Sequence, residues 1–165
     1  MKERSNIDMT GKVVAITGAN AGIGRATAQA LAAMGATVLA CGRDPAKLEQ
    51  AAEAIRSSTG NDRVQTLVAD LASMAEVRGL AAEICERTDR LDVLINNAGL
   101  AVDRRIETVD GFELIFAVNY LAPFVLTNEL LPLLKASVPS RVVTVSSALH
   151  ASVKSLDLDD LQSTR

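Results

Sequence analysis

Residues Thr17-Gly18-Ala19-Asn20-Ala21-Gly22-Ile23-Gly24 lie between a β-branched run, Lys12 to Thr17, and a helical pattern that begins at Ile23. That setting suits phosphate chemistry for two reasons. The N-terminus of a helix presents free N–H groups and a partial positive charge. Glycines let the backbone turn tightly and come close to a diphosphate. The plainer alternative is a glycine turn with no ligand. The strand–turn–helix context is what such a motif requires, and it favours a nucleotide held by Gly18, Asn20, Ala21, Gly22, Ile23 and Gly24. A P-loop is excluded, because Arg25-Ala26 stands where Lys-Ser or Lys-Thr would be needed.

The next informative residues follow a second apolar run, Thr37 to Cys41. A site for NAD(H) usually carries Asp or Glu about 20 residues after the glycine turn, to accept from the ribose hydroxyls. Gly42 occupies the expected position here and Arg43 stands beside it. A guanidinium there could pair with a 2′-phosphate, so this reading prefers NADP(H) over NAD(H). Asp44 could be a ribose ligand, but its neighbour Pro45 fits a helix cap better. Asn97, Ala98 and Gly99 follow a fourth apolar run, at the end of a strand where ligands bind in α/β sheets. Asn96 or Asn97 could equally bridge neighbouring strands.

The elements that must position these residues alternate along the chain. Strands are expected over Lys12–Thr17, Thr37–Cys41, Arg63–Ala69, Leu91–Ile95 and Arg141–Val145. Helical spacing follows each of the first four. Ile23, Ala26, Thr27, Ala30, Leu31 and Met34 mark the first helix, which Gly35 stops. Asp44-Pro45 opens the second, with Leu48, Ala51, Ala52 and Ile55 facing inward. Ser73 and Glu76 have capping-box spacing before a third helix that buries Val77, Leu80, Ala81 and Ile84. A long helical stretch from about Asp110 to Lys135 should be kinked or broken at Pro123 and Pro132. Such alternation implies right-handed βαβ crossovers and an α/β fold, a doubly wound parallel sheet. Apolar runs in the strands suggest burial on both faces.

Four ordered motifs carry a family resemblance. TGANAGIG (residues 17–24), NNAG (residues 96–99), Asn119 within FAVNYLAPFVLTN, and VTVSS ending at Ser147 together resemble the short-chain dehydrogenase/reductase family. The wording is most similar to its retinol-dehydrogenase-like members. The resemblance implies a Rossmann-type sheet in strand order 3-2-1-4-5, truncated after about five strands. It implies an oxidoreductase that moves hydride between nicotinamide and an alcohol or carbonyl, lipophilic by the retinol-dehydrogenase likeness. It also implies that Asp70 meets the adenine amino edge and Leu71 flanks the ring. Ser147 would donate to the substrate oxygen, and Asn119 would hold a water in the proton path. For Asn119 the alternative is an amide that compensates backbone groups freed at Pro123.

One part of the family pattern is missing. Catalysis there uses Tyr-x-x-x-Lys a dozen or more residues after the serine, the tyrosine as acid and the lysine tuning it. Tyr120 is the only tyrosine, and it precedes Ser147. Lys154 has His150, not tyrosine, four residues before it. His150 is a poor substitute at its place in a loop. The chain as given is therefore expected to be an incomplete member with little activity alone, or else a non-catalytic NADP(H)-binding or interaction module. Residues 1–10 read as an N-terminal extension, 11–150 as the nucleotide-binding domain, and 151–165 as a polar tail resembling the loop before the tyrosine helix.

Composition narrows the remaining classes. The 165 residues carry a net charge of −3, with no basic block to meet nucleic acid. The apolar stretch Leu114–Leu134 is interrupted by Asn119, Asn128, Glu129 and two prolines, so no membrane span is expected. Cys41 and Cys85 form no close ligand pattern, so no metal site and no disulfide is implied. Two free thiols and no secretory h-region at the N-terminus suit the cytoplasm. Partners are expected to be the small-molecule substrate and, in the full-length form, a second copy of the same chain.

Overall fold

The β-branched runs become strands in this computed structural model, which describes residues 7–152 and 155–164. They are β1 (Val13–Thr17), β2 (Thr37–Gly42), β3 (Val64–Val68), β4 (Val93–Asn96) and β5 (Arg141–Thr144). All pair in parallel in the order β3-β2-β1-β4-β5. This is the expected doubly wound Rossmann-type sheet. The chain leaves β1 toward β2 and β3, then crosses back to β4. The reversal opens a crevice between the carboxyl ends of β1 and β4.

Helices α1 (Gly22–Ala33), α2 (Pro45–Thr59) and α3 (Met74–Arg87) make the crossovers. The stretch after β4 is divided into α4 (Leu114–Phe116), a π-helical turn (Ala117–Leu121), α5 (Ala122–Glu129) and α6 (Leu131–Ala136). Pro123 and Pro132 each sit in the first turn of the segment they open, where a missing N–H is tolerated. A short 3₁₀ turn, Ala148–Ser152, follows β5.

Alternate strand residues point to opposite faces, so there are two cores. Ala15, Leu39, Leu67 and Leu94 pack with Val77, Leu80 and Ile84 of α3 and with Leu126 and Leu130. Val14, Ile16, Val38 and Ala40 pack with Ala28 and Ala32 of α1 and with Leu48 and Ile55 of α2. Each fully buried leucine or isoleucine contributes on the order of 1.5–3 kcal/mol by leaving water.

Three expectations need correction. Burial on both faces holds for the central strands but not at the edges. Gln65 and Val68 of β3 are exposed, and every residue of β5 is exposed. Helices α2 and α3 seal only Val64 and Leu67 of β3, and β5 has no covering layer among the described residues. The first helix also turns another side to the sheet. Its buried residues are Gly24, Ala28 and Ala32, whereas Ile23 is exposed. Small side chains there let the helix lie close to the sheet, which larger apolar residues would prevent. Finally, only half of the capping box forms. The Ser73 hydroxyl accepts from the Glu76 N–H at 3.3 Å, but the Glu76 carboxylate accepts from the Asp70 N–H at 2.7 Å instead of turning back to residue 73. The Asp110 carboxylate takes the Met74 N–H at 2.7 Å, completing the end of α3.

The polar tail docks on the loop before α4. The Gln162 carbonyl oxygen accepts from Arg105 Nε at 2.9 Å, and its side-chain oxygen accepts from the Glu113 N–H at 2.8 Å. Lys154 lies outside the described residues. Among the described residues, no helix is long and apolar enough to cross a membrane, and no cluster of side chains is arranged to hold a metal.

Candidate functional site

The first turn of α1 is built differently from those of α2, α3 and α4. Asp44 caps α2 by accepting from the Lys47 N–H at 3.1 Å, and Glu113 caps α4 by accepting from the N–H groups of Ile115 and Phe116. The N-cap of α1 is Ala21, which has no side-chain acceptor, and no acidic residue stands in its first turn. The N–H groups of Gly22, Ile23 and Gly24 find no partner among the described residues. Such groups are compensated by water or by an anion.

The glycines make that opening possible. Gly18 and Gly22 both have positive φ, +69° and +52°. A Cβ on Gly24 would overlap the Gly18 carbonyl oxygen, so only glycine lets the helix start this close to the strand. Around Gly22 a Cβ would meet nothing within 4 Å, leaving open space beside the helix end. The turn is anchored by the Ala19 N–H, which donates to the Cys41 carbonyl at 3.1 Å.

Thr17 locks the crevice. Its hydroxyl oxygen accepts from the N–H groups of Asn97 and Ala98, each at 3.0 Å. Asn97 Nδ2 donates to the Thr17 carbonyl at 2.8 Å. Asn97 therefore does bridge the strands, as one reading of the sequence allowed, and it does so while lining the cleft. Asn96 turns away, donating to Thr127 Oγ1 at 3.0 Å.

The result is a cleft of about 460 Å³ across the carboxyl ends of β1, β2, β3 and β4. Every residue expected to contact a cofactor lines it. Gly18, Asn20, Ala21, Gly22, Ile23 and Gly24 form one wall, and Asn97, Ala98 and Gly99 another. Arg43, Asp70 and Leu71 close the far end. Arg43 is exposed and makes no ion pair among the described residues. Asp70 accepts from the Ala72 N–H at 3.0 Å, so one of its oxygens is engaged in a loop.

Sequence reading missed Cys41, Leu100, Val118 and Val145 as lining residues. Their apolar types read as core. Their place at or just beyond the carboxyl ends of strands, or on a helix facing the crevice, was the usable signal. Burial pushes the Cys41 thiol up to about 12, so it lines the cleft as a neutral group.

Asn119 and Ser147 are not among the lining residues; they stand on the flank, next to Val118 and just past Val145. Asn119 lies in the π-helical turn. Its amide clamps the loop after β4, accepting from the Leu100 N–H and donating to the Leu100 carbonyl, both at 2.9 Å. The alternative in which this amide compensates its own helix is thus not realised. Ser147 is exposed, and its hydroxyl oxygen accepts from the Leu149 N–H at 3.2 Å. His150 Nδ1 lies 2.6 Å from the Ser147 carbonyl oxygen.

Comparison with known proteins bears directly on this geometry. The short chain dehydrogenase family matches residues 12–155. The chain belongs to that family. It is 46% identical over 157 residues to retinol dehydrogenase 13 of Homo sapiens, covering 95% of this chain and 47% of the relative. It is 46% identical over 155 residues to polyprenol dehydrogenase of Mus musculus, covering 92% of this chain and 46% of the relative. The chain thus spans about half the length of the curated relatives it matches. Among solved structures it resembles the Pseudomonas aeruginosa RhlG/NADP active-site complex, at 32% identity and TM-score 0.76, covering 92% of this chain and 60% of that one. It also resembles the oxidoreductase yciK from E. coli, at 32% identity and TM-score 0.77, covering 91% of this chain and 63% of that one. The retinol-dehydrogenase-like resemblance read from the motifs therefore holds.

Proposed function

We propose that this chain is the nucleotide-binding part of an NADP(H)-dependent oxidoreductase acting on a lipophilic alcohol or carbonyl. The observation that carries the reading is the uncapped start of α1, open to a cleft whose far end bears Arg43 and no acid in the ribose position. The free N–H groups of Gly22 to Gly24 would hold the diphosphate, and Asn97 to Gly99 would let the backbone approach the nicotinamide half. Asp70 and Leu71 would meet the adenine. When bound, the nicotinamide would supply or accept the hydride.

The remaining chemistry falls to residues on the flank. The Ser147 hydroxyl would donate to the substrate oxygen as negative charge builds there. Asn119 would hold a water through its main chain, since its amide is engaged by Leu100. The acid that delivers the proton is not supplied by these residues: Tyr120, the only tyrosine, is exposed and stacks on Phe116.

Titration with NADPH and NADH tests the reading. Saturable binding of NADPH, lost in Gly22→Asp, is the expected result. A folded chain with no affinity for either nucleotide would overturn it. That Asn119 and Ser147 stand outside the cleft lining favours a second reading, an NADP(H)-binding module without catalysis. Carbonyl-dependent NADPH consumption by these 165 residues would exclude that module; little or no turnover is expected.

A further inference from the structure

The loop that carries Asp70 and Leu71 is stitched mostly to itself. The Asp70 carboxylate accepts from the Ala72 N–H at 3.0 Å, and its carbonyl accepts from the Ser73 N–H at 3.1 Å. Glu76 accepts from the Asp70 N–H at 2.7 Å. Just before the loop, the Ala69 N–H donates to the Gly42 carbonyl at 3.1 Å and fixes that end to β2. Between Ala69 and the first turn of α3, one hydrogen bond reaches a distant segment among the described residues. It runs from the Met74 N–H to Asp110 Oδ2, at 2.7 Å and 36 residues away in sequence.

Asp110 is itself held in a fixed turn. The Gly111 N–H donates to the Thr108 carbonyl at 3.0 Å, and Gly111 has φ +79°. Behind that turn a small antiparallel hairpin forms. The Thr108 N–H donates to the Phe112 carbonyl and the Leu114 N–H to the Ile106 carbonyl, both at 2.8 Å, and Glu107 bridges to Glu113. Gln162 of the tail fastens the outer side of the hairpin by accepting from the Glu113 N–H. Phe112 of the hairpin and Leu71 of the loop pack against one core, which includes Met74 and Leu80.

We infer that Asp110 is a positioning residue for the adenine end of the cleft, fixing loop 70–73 against the hairpin and so setting where Asp70 and Leu71 stand. The inference rests on the nucleotide reading above and adds the residue that holds its adenine contacts in place. A carboxylate at the start of α3 also meets the positive end of the helix dipole, which strengthens the link. Placement matters at Asp70. To accept from the adenine amino group, its oxygen must be held to within about 0.5 Å. Without Asp110 the loop keeps its internal bonds but swings with the start of α3 about Ala69. A cap that served α3 alone would stabilise the fold without altering which base is preferred.

The test titrates the 165-residue chain and two variants with NADPH and with its hypoxanthine analogue, in which oxygen replaces the adenine amino group. Asp110→Ser suits a turn but is too short to reach Met74. Asp110→Asn keeps an acceptor at the original reach. Asp110 is exposed, so neither change opens a cavity. The unaltered chain should prefer NADPH by roughly tenfold, as one hydrogen bond to a charged group allows. Asp110→Ser should weaken NADPH roughly fivefold and leave the analogue nearly unchanged, losing most of the preference. Asp110→Asn should retain it. Melting temperatures report the cap separately. The assignment would be overturned, with nucleotide binding intact, by an unchanged preference in Asp110→Ser, by its loss in Asp110→Asn as well, or by equal weakening of both nucleotides. An unaltered chain that held both equally would remove the Asp70 contact, and the positioning role with it. Failure of the unaltered chain to bind either would instead bring down the cofactor reading itself.

Discussion

The two edges of the sheet are made of similar residues and meet solvent differently. β3 (VQTLV) buries Val64 and Leu67, whereas β5 (RVVT) leaves all four residues exposed. The cause is connectivity. β3 is flanked in sequence by α2 and α3, which pack Leu48, Ile55, Val77 and Leu80 into the cores on either face. β5 is preceded by α6 and followed by polar turns, so Val142, Val143 and Val145 have no covering layer among the described residues. An apolar run therefore records a strand, while the neighbouring crossovers decide how much of it is sealed. The cofactor-side residues lie toward the sealed end. Ser147 follows the open one.

Substitutions can break or sharpen this contrast, and the largest effect belongs at the sealed centre. Leu39→Ala in β2 removes a side chain with 1% exposure and should cost about 2–5 kcal/mol, measured by denaturant unfolding. A loss below 1 kcal/mol would mean that this core is not tightly packed.

A somewhat smaller effect is expected at Asp92, where the sealed and open parts of the sheet are pinned together. Its carboxylate accepts from Lys12 Nζ at 3.0 Å, from the Val13 N–H at 3.0 Å and from Arg90 at 2.6–3.0 Å. Its carbonyl accepts from the Arg141 N–H at 2.8 Å. Burial opposes the charge, but Arg90, the Val13 N–H and Lys12 outweigh it and hold the carboxyl well below its usual 3.8. The folded value is depressed, so the stabilisation is complete above about 3.8 and fades as pH falls toward the lower folded value. Asp92→Asn should cost about 2–3 kcal/mol at pH 7 and flatten the acid side of the pH–Tm profile. An unchanged acid limb would remove Asp92 from the account.

Next in size is the cap of α2. Asp44→Ala should lose about 1 kcal/mol, read as a lower Tm. No comparable cap exists to remove at Ala21, so Ala21→Asp should not recover a similar gain if the site needs an anion there; instead it should weaken NADPH binding. The smallest effect is expected at the open edge. Val143→Thr should change stability by no more than about 0.5 kcal/mol, because the side chain is already 44% exposed. A loss like that at Leu39 would show that β5 is covered in solution.

Much of this architecture was legible from residue order. Asp44-Pro45 read correctly as a cap and first turn, and Leu48, Ala51, Ala52 and Ile55 as an inner face, because capping and 3.6-residue spacing are local properties. The glycine turn was legible for the same reason, since positive φ at Gly18 and Gly22 demands a particular residue type. The face of α1 was not. Ile23, Ala26, Thr27, Ala30, Leu31 and Met34 gave a regular pattern, yet the sheet takes Gly24, Ala28 and Ala32, with Leu31 alone of that pattern packed against the core from its margin. Close approach selected the small residues, and closeness is a property of two elements. Glu76 likewise had the spacing for a reciprocal cap but was drawn to the Asp70 N–H, a partner set by where β3 ends.

Residue types and their spacing determined the alternation of strands and helices, the parallel sheet and the glycine-rich opening of α1, because each depends on forces acting within a few residues. Tertiary structure alone decided that Thr17 would clamp Asn97 and Ala98, that Asn119 would grip Leu100, and that Asp110 would take the Met74 N–H at the start of α3. Those meetings join positions far apart in the chain, and only the packing of whole elements sets the distances between them.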